Sequence, residues 1–138
     1  MVRNIGDFLY RVYYSPMGTH PANLVLRFFM EICGLVALGY WGYSQAQGPW
    51  RYLLAFGIPL AAAFIWGTFR VPQDPSQANK VAVRIPGVLR LVLELAFFTA
   101  AVWALIQVNQ PLLALILGAM IAIHYLLSYD RVMWLVRQ

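Results

Sequence analysis

Cysteine, histidine and acidic side chains are scarce in this sequence of 138 residues, which has one cysteine, two histidines and five Asp or Glu residues. A single cysteine, Cys33, excludes a disulfide bond within the chain. His20 and His124 lie too far from Cys33 along the sequence to match a metal-ligand spacing. We therefore predict no metal site and no cofactor.

The sequence motifs of common enzyme classes are also missing. The chain has no glycine-rich phosphate loop, no nucleophile elbow and no closely spaced pair of metal ligands. The sequence thus leaves any catalytic residue unknown and favours a protein that is not an enzyme.

Charged residues make up only 11% of the chain, whereas hydrophobic residues make up 62%. The mean hydropathy of +0.66 lies far from that of soluble domains and indicates that the lipid bilayer is the solvent. Four apolar segments each open on a proline and are about 30 Å long as helices, which matches the hydrocarbon core of a membrane. The predicted spans are 21–44, 49–70, 86–107 and 111–129.

The distribution of positive charge predicts the orientation of these spans. The net charge is +5, and if the four spans alternate in direction, Arg51 is the one basic residue of ten that falls on the outer side. Because Lys and Arg are enriched on the cytoplasmic side, both termini are predicted to be cytoplasmic. The basic residues form no cluster on a soluble module, so we expect no nucleic-acid partner.

The segments outside the predicted transmembrane domain, 21–129, are short. Residues 1–20 place several apolar side chains on one helical face and charged ones on the other, which predicts an amphipathic helix at the membrane interface. The alternative is an N-terminus without fixed structure. Residues 130–138 are predicted to form a short cytoplasmic tail, in which Asp130, Arg131 and Trp134 act as interface anchors.

An arginine and a glutamate spaced i, i+4 occur twice, as Arg27 with Glu31 in the first span and Arg90 with Glu94 in the third. Each charged span is followed by a span rich in small residues. This internal repeat predicts two helical hairpins related by an axis roughly normal to the membrane. The predicted fold is therefore an all-α integral membrane protein, a pseudo-symmetric bundle of four transmembrane helices.

These four charges are the candidate site. A charged side chain near the bilayer centre costs about 2.5–3.5 kcal/mol, so the residues must be paired. Pairing within each helix and pairing across the axis are both compatible with the sequence. The pairs can be a structural lock or a ligand-binding or catalytic site. His124 and Tyr125 in the fourth span are possible secondary polar residues.

Three functions follow from these observations. The leading hypothesis is a non-catalytic scaffold or accessory subunit that contacts the lipid bilayer and either a partner membrane protein or further copies of itself. The second is an intramembrane enzyme that uses Glu31 or Glu94 as acid or base on a lipophilic substrate. The third is a small oligomeric transporter in which one of these glutamates exchanges protons.

Residues 22–127 resemble the YrdB-like family of small bacterial membrane proteins with four spans. The matching motifs are Leu26-Arg27-x-x-x-Glu31-Ile32, Gly39-Tyr40-Trp41-Gly42, Pro59-Leu60-Ala61-Ala62, Trp66-Gly67-x-Phe69 and Leu89-Arg90-x-x-x-Glu94-Leu95. The family is a domain of unknown function, so the resemblance implies a multi-pass protein of the bacterial cytoplasmic membrane and adds no activity.

Overall fold

The computed structural model describes residues 4–6, 20–71 and 83–138. The helices in these ranges are α1 (Pro21–Ser44), α2 (Trp50–Thr68), α3 (Gly87–Gln107), α4 (Pro111–Leu127) and α5 (Tyr129–Val136). Two short strands, β1 (Phe69–Arg70) and β2 (Val83–Arg84), lie between α2 and α3 in sequence. The amphipathic helix predicted for residues 1–20 falls almost wholly outside the described residues and stays a prediction.

Three of the described helices, α1, α2 and α3, are long and apolar enough to cross a membrane. A fourth span is obtained if α4 and α5 count together, although they meet at an angle of 71°. The chain is therefore all-helical apart from two short strands in its described part, with three to four helices that are consistent with a multi-pass membrane protein. Proline accounts for the well-predicted start of α1, because Pro21 occupies the first turn, where a missing N–H leaves no hydrogen bond unmade.

Two helices end at positions that differ from the predicted bounds of the spans. The second span ends at Thr68 instead of residue 70, because Phe69 and Arg70 leave the helix to pair with β2. Helix α4 ends at Leu127, and most of residues 130–138, predicted as a short tail, belong to helix α5. Because the chain bends between α4 and α5, side chains of α5 contact the other helices.

Helix α1 occupies the centre of the packing and contacts α2, α3 and α4. It approaches α2 closely at Gly39 and Gly42, where an added Cβ would lie 2.8 Å from the carbonyl oxygen of Ala55 and 2.6 Å from that of Leu54. Gly57 of α2 and Gly118 of α4 belong to the two spans that are rich in small residues. Nothing in the described part of the chain lies within 4 Å of a Cβ placed at either one. A small residue permits close packing but does not choose the partner.

The core is divided into two apolar clusters. The larger one lies between α1, α3 and α4, and its buried members are Met30, Ala37, Phe98, Ala101, Leu105, Ala114 and Leu117. The smaller one consists of Val71, Ile85 and Leu135 and joins α5 to the segments that flank β1 and β2. The two strands pair in parallel, with Arg70 opposite Arg84. The smaller cluster thus gathers three distant segments at one end of the helices.

We call this end, which contains α5 and the two strands, the basic end, and we call the end with residues 45–49 and 108–110 the opposite end.

If the helices span the membrane as their lengths indicate, cysteines introduced at Gln47 and Ser76 should be labelled from opposite sides, outer and inner respectively. Impermeant maleimide labelling of intact and permeabilised cells measures this, with a Cys33→Ser background as control. Labelling of both positions from the same side would rule out the four-span topology.

Candidate functional site: an arginine cluster around Glu94

Glu94 of α3 is the centre of a buried ion cluster near the basic end. Its Oε1 accepts hydrogen bonds from Arg27 Nη2 (2.9 Å), Arg90 Nε (3.2 Å) and Arg131 Nη2 (2.7 Å). Its Oε2 accepts from Arg131 Nη1 (2.9 Å) and from the Tyr125 hydroxyl (3.1 Å). The side chains of Glu94, Arg90 and Arg131 are each only 1% exposed. One carboxylate therefore holds together side chains from α1, α3, α4 and α5.

Arg131 makes the most directional of these contacts. Both of its terminal nitrogens reach the carboxylate, an arrangement in which the planar guanidinium matches the two oxygens. The bend between α4 and α5 at Ser128 is what turns Arg131 toward α3. The position of α5 and the ion cluster therefore depend on each other.

Glu31, the other glutamate of the repeat, has different surroundings. Among the residues that the structure describes, its hydrogen-bond partner is Arg27, whose Nε lies 3.0 Å from Oε1. Its side chain is 22% exposed. The alternatives left open by the sequence are both present, since Arg27 pairs within its helix with Glu31 and across helices with Glu94. The repeated motifs do not make equivalent contacts.

Arg90 also joins α3 to the end of α2. Its Nη1 donates to the carbonyl oxygens of Trp66 (2.8 Å) and Phe69. Its guanidinium lies over the Trp66 ring, 4.2 Å from the centroid. A cation is favoured here because the last carbonyls of a helix lack partners within the helix and carry partial negative charge. Arg90 thus fixes α2 at the point where it gives way to β1.

A second, uncharged network lies beside the ion cluster. Asn23 donates from Nδ2 to the Ser128 hydroxyl at 2.6 Å, and its Oδ1 lies 2.8 Å from His124 Nδ1. All three residues are at most 3% exposed. Because hydrocarbon offers no alternative hydrogen-bond partners, this network ties the first turn of α1 to the end of α4.

The hydrogen bonds of the cluster leave the Glu94 carboxylate few free lone pairs with which to act as an acid, a base or a ligand. A carboxylate has about four lone-pair positions, and five hydrogen bonds already reach its two oxygens. No group of three His, Cys, Asp or Glu side chains suited to a metal occurs in the described ranges. A cavity of about 610 Å³ between α1 and α4 is lined almost wholly by apolar side chains and by neither glutamate. Within the described residues, the two oxygens of Glu94 are fully occupied by hydrogen bonds.

All six candidate residues from the sequence lie in or beside this cluster: Arg27, Glu31, Arg90, Glu94, His124 and Tyr125. Sequence reasoning missed Arg131, Asn23 and Ser128. It interpreted Arg131 as an interface anchor, and that interpretation is wrong because the residue is 2% exposed and bound to Glu94. The available signal was Leu135, which lies four residues after Arg131. The two residues therefore share one face of a helix, and an apolar residue on that face indicates that the face is buried.

Two comparisons place this chain among known sequences. The family described as "Protein of unknown function (DUF2568)" matches residues 25–122. The Bacillus subtilis (strain 168) protein named "Uncharacterized protein YrdB" is 36% identical over 119 residues, which cover 86% of this chain and 97% of that protein. No solved structure matches. Glu94 and its partners Arg27 and Arg90 lie within the matched family region, whereas Tyr125 and Arg131 lie beyond it. The chain belongs to the DUF2568 family, the YrdB-like proteins of unknown function.

Proposed function

We propose that this protein is a non-catalytic scaffold or accessory subunit of a membrane complex, whose arginine cluster fixes the arrangement of its helices. The observation that carries the proposal is the saturation of Glu94, whose two oxygens accept from three arginines and a tyrosine. A carboxylate so engaged is a structural centre.

The energetics of the cluster support this role. Protonation of Glu94 would leave three buried guanidinium groups near a neutral acid, and removing one partner from a buried ion pair costs about 3–5 kcal/mol. A general acid or base must change its protonation state in every cycle. Glu94 is therefore a poor acid or base and a strong fixed bridge.

The placement of polar groups supports the same conclusion. Beyond Glu94, toward the opposite end, α3 contributes Phe98, Ala101 and Leu105 to the larger apolar cluster. A proton-coupled transporter needs polar groups or water along its path through the membrane. An apolar core above one polar layer fits a structural protein better.

The topology that accompanies this proposal is a four-span bundle of two hairpins in the bacterial cytoplasmic membrane, with the basic end and both termini in the cytoplasm. Positive charge at the basic end supports the orientation. The pseudo-symmetry concerns the order of the hairpins and their repeated motif. It does not extend to the contacts of Glu31 and Glu94, which differ in number and burial.

Glu31 supports a second candidate function, proton exchange by a small transporter or acid–base chemistry on a lipophilic substrate. Its carboxylate has one described partner and is partly exposed within a span. Such a group can take up a proton without disrupting the contacts of Glu94. The two candidates therefore differ in what happens at Glu31.

Proton flux into liposomes containing the purified protein distinguishes them. Pyranine trapped inside the liposomes reports the internal pH, and valinomycin sets the membrane potential that drives proton entry. We expect liposomes with the wild-type protein and with Glu31→Gln to show the same proton flux as liposomes without protein. Asp130→Asn serves as a matched carboxyl change in α5, at an exposed position. Flux above the background that disappears in Glu31→Gln but persists in Asp130→Asn would replace the scaffold proposal with transport.

A separate experiment tests the proposal that the protein is a subunit of a membrane complex. Isolated from native membranes in a mild detergent, the protein should sediment in a complex larger than the chain of 15.7 kDa, and mass spectrometry of that complex separates self-association from a partner. A purely monomeric species would contradict this part of the proposal.

A further inference from the structure

The basic end carries a small platform built from three segments. Val71, Ile85 and Leu135 pack together there and hold α5 against the residues that flank β1 and β2. Each of the three lies one or two residues from an arginine, and these arginines are Arg70, Arg84 and Arg137. We call α5 together with β1, β2 and these arginines the base platform.

Helix α5 lies at the level where α3 begins. The backbone of Leu135 contacts Gly87 so closely that an added Cβ would be 1.9 Å from the Leu135 carbonyl oxygen. The helix leaves α4 at 71° and therefore runs across the end of the other helices. If those helices cross the bilayer, α5 lies near its surface, since Gly87 is the first residue of a span.

The exposed side of α5 is divided into an apolar and a charged flank. Tyr129 and Val136 are seven residues apart, so they lie on one flank, and they are 66% and 50% exposed. Asp130 and Arg137 share the next flank by the same spacing and are also exposed. This division is typical of helices at the boundary between headgroups and acyl chains.

The platform carries net positive charge. Arg84 and Arg137 are exposed and Arg70 is half-buried, whereas Asp130 is the exposed acidic residue of α5. The opposite end differs, because its Arg51 stacks on the Tyr43 ring, 3.8 Å from the centroid. Among the described residues, the exposed arginines Arg84 and Arg137 therefore both lie at the base platform.

We propose that the base platform binds the headgroups of anionic phospholipids in the leaflet at the basic end. Arg84 and Arg137 contact the headgroup phosphates, while Tyr129 and Val136 enter the boundary with the acyl chains. Basic residues at a membrane surface attract anionic lipids. The apolar flank beside the charges favours a lipid over an acidic protein segment, because a lipid satisfies both features at once. This inference goes beyond the proposed function and does not depend on it.

The test compares two lipids that share their chains and differ in headgroup charge. Tail-labelled phosphatidylglycerol or phosphatidylcholine is titrated into the purified protein in dodecylmaltoside, and binding is followed by fluorescence anisotropy. We expect tighter binding of phosphatidylglycerol. The double variant Arg84→Gln/Arg137→Gln should lose about 25-fold in affinity for it, about fivefold per arginine, and should not change its affinity for phosphatidylcholine.

Two further variants keep the result interpretable. Arg84→Lys/Arg137→Lys retains the charge and should retain the preference, and Arg51→Gln removes one charge from the opposite end and should leave the preference unchanged. Melting temperatures verify that all variants are folded. Equal binding of the two lipids by the wild type, or a preference that survives Arg84→Gln/Arg137→Gln, would overturn the proposal. So would binding of a polyglutamate peptide without a phosphatidylglycerol preference, which would identify an acidic protein segment as the partner.

Discussion

Glu94→Gln should lower the free energy of unfolding by about 3–5 kcal/mol, the range observed when one partner is removed from a buried ion pair. The substitution keeps the shape of the side chain but removes the charge that compensates Arg27, Arg90 and Arg131. Equilibrium denaturation of the purified protein in mixed micelles measures the loss.

The repeat supplies a matched control in Glu31→Gln. Glu31 has one described partner and is partly exposed, so its replacement should cost about 1 kcal/mol or less. Adding Arg131→Gln to Glu94→Gln should recover part of the lost stability, because one of the uncompensated cations is then gone. A Glu94→Gln variant as stable as the wild type would show that Glu94 is not a charged bridge, and the proton-exchange or enzymatic hypothesis would then replace the scaffold.

A single methyl group at Gly87 should displace α5. The Cβ of Gly87→Ala would lie 1.9 Å from the Leu135 carbonyl oxygen, a distance that backbone atoms cannot accommodate without moving. Overpacking of this kind costs about 1–3 kcal/mol. We expect the upper part of that range, because the displacement of α5 also draws Arg131 away from Glu94. Denaturation in mixed micelles and the fluorescence of Trp134 should both report the change.

Gly118→Ala is the corresponding control within α4. Nothing in the described residues lies within 4 Å of a Cβ at Gly118, so the substitution adds helix propensity without a clash. It should stabilise the protein by up to about 1 kcal/mol. Equal effects of the two alanines would contradict the close contact between Gly87 and α5.

The sequence predicted the helices better than it predicted their contacts. Apolar runs that open on proline located α1 to within a residue, because length and composition decide whether a segment can span a bilayer. The same reasoning carried the fourth span to residue 129. The break after Leu127 arises from tertiary contacts, since Ser128 bonds Asn23 and Arg131 bonds Glu94. Local hydropathy contains no information about either contact.

The sequence predicted which residues form the candidate site, but it did not predict how they contact one another. The i, i+4 spacing identified Arg27, Glu31, Arg90 and Glu94, because charges in a span must be paired. Spacing within a helix cannot show that one glutamate collects three arginines while the other has a single described partner. That difference depends on where α5 lies, and the sequence of α5 was interpreted as a tail.

The Asn23 network has a consequence for how the protein is made. Asn23 and Ser128 are 105 residues apart, and Arg131 is 37 residues beyond Glu94. At about 5–20 residues per second, the ribosome needs about 5–20 s to synthesise the chain between Asn23 and its partner. During that time α1 has entered the membrane with Asn23 and Arg27 lacking their partners from the C-terminal half. Nascent chains of this protein should therefore remain at the insertion machinery, or with a membrane chaperone, until α5 has emerged.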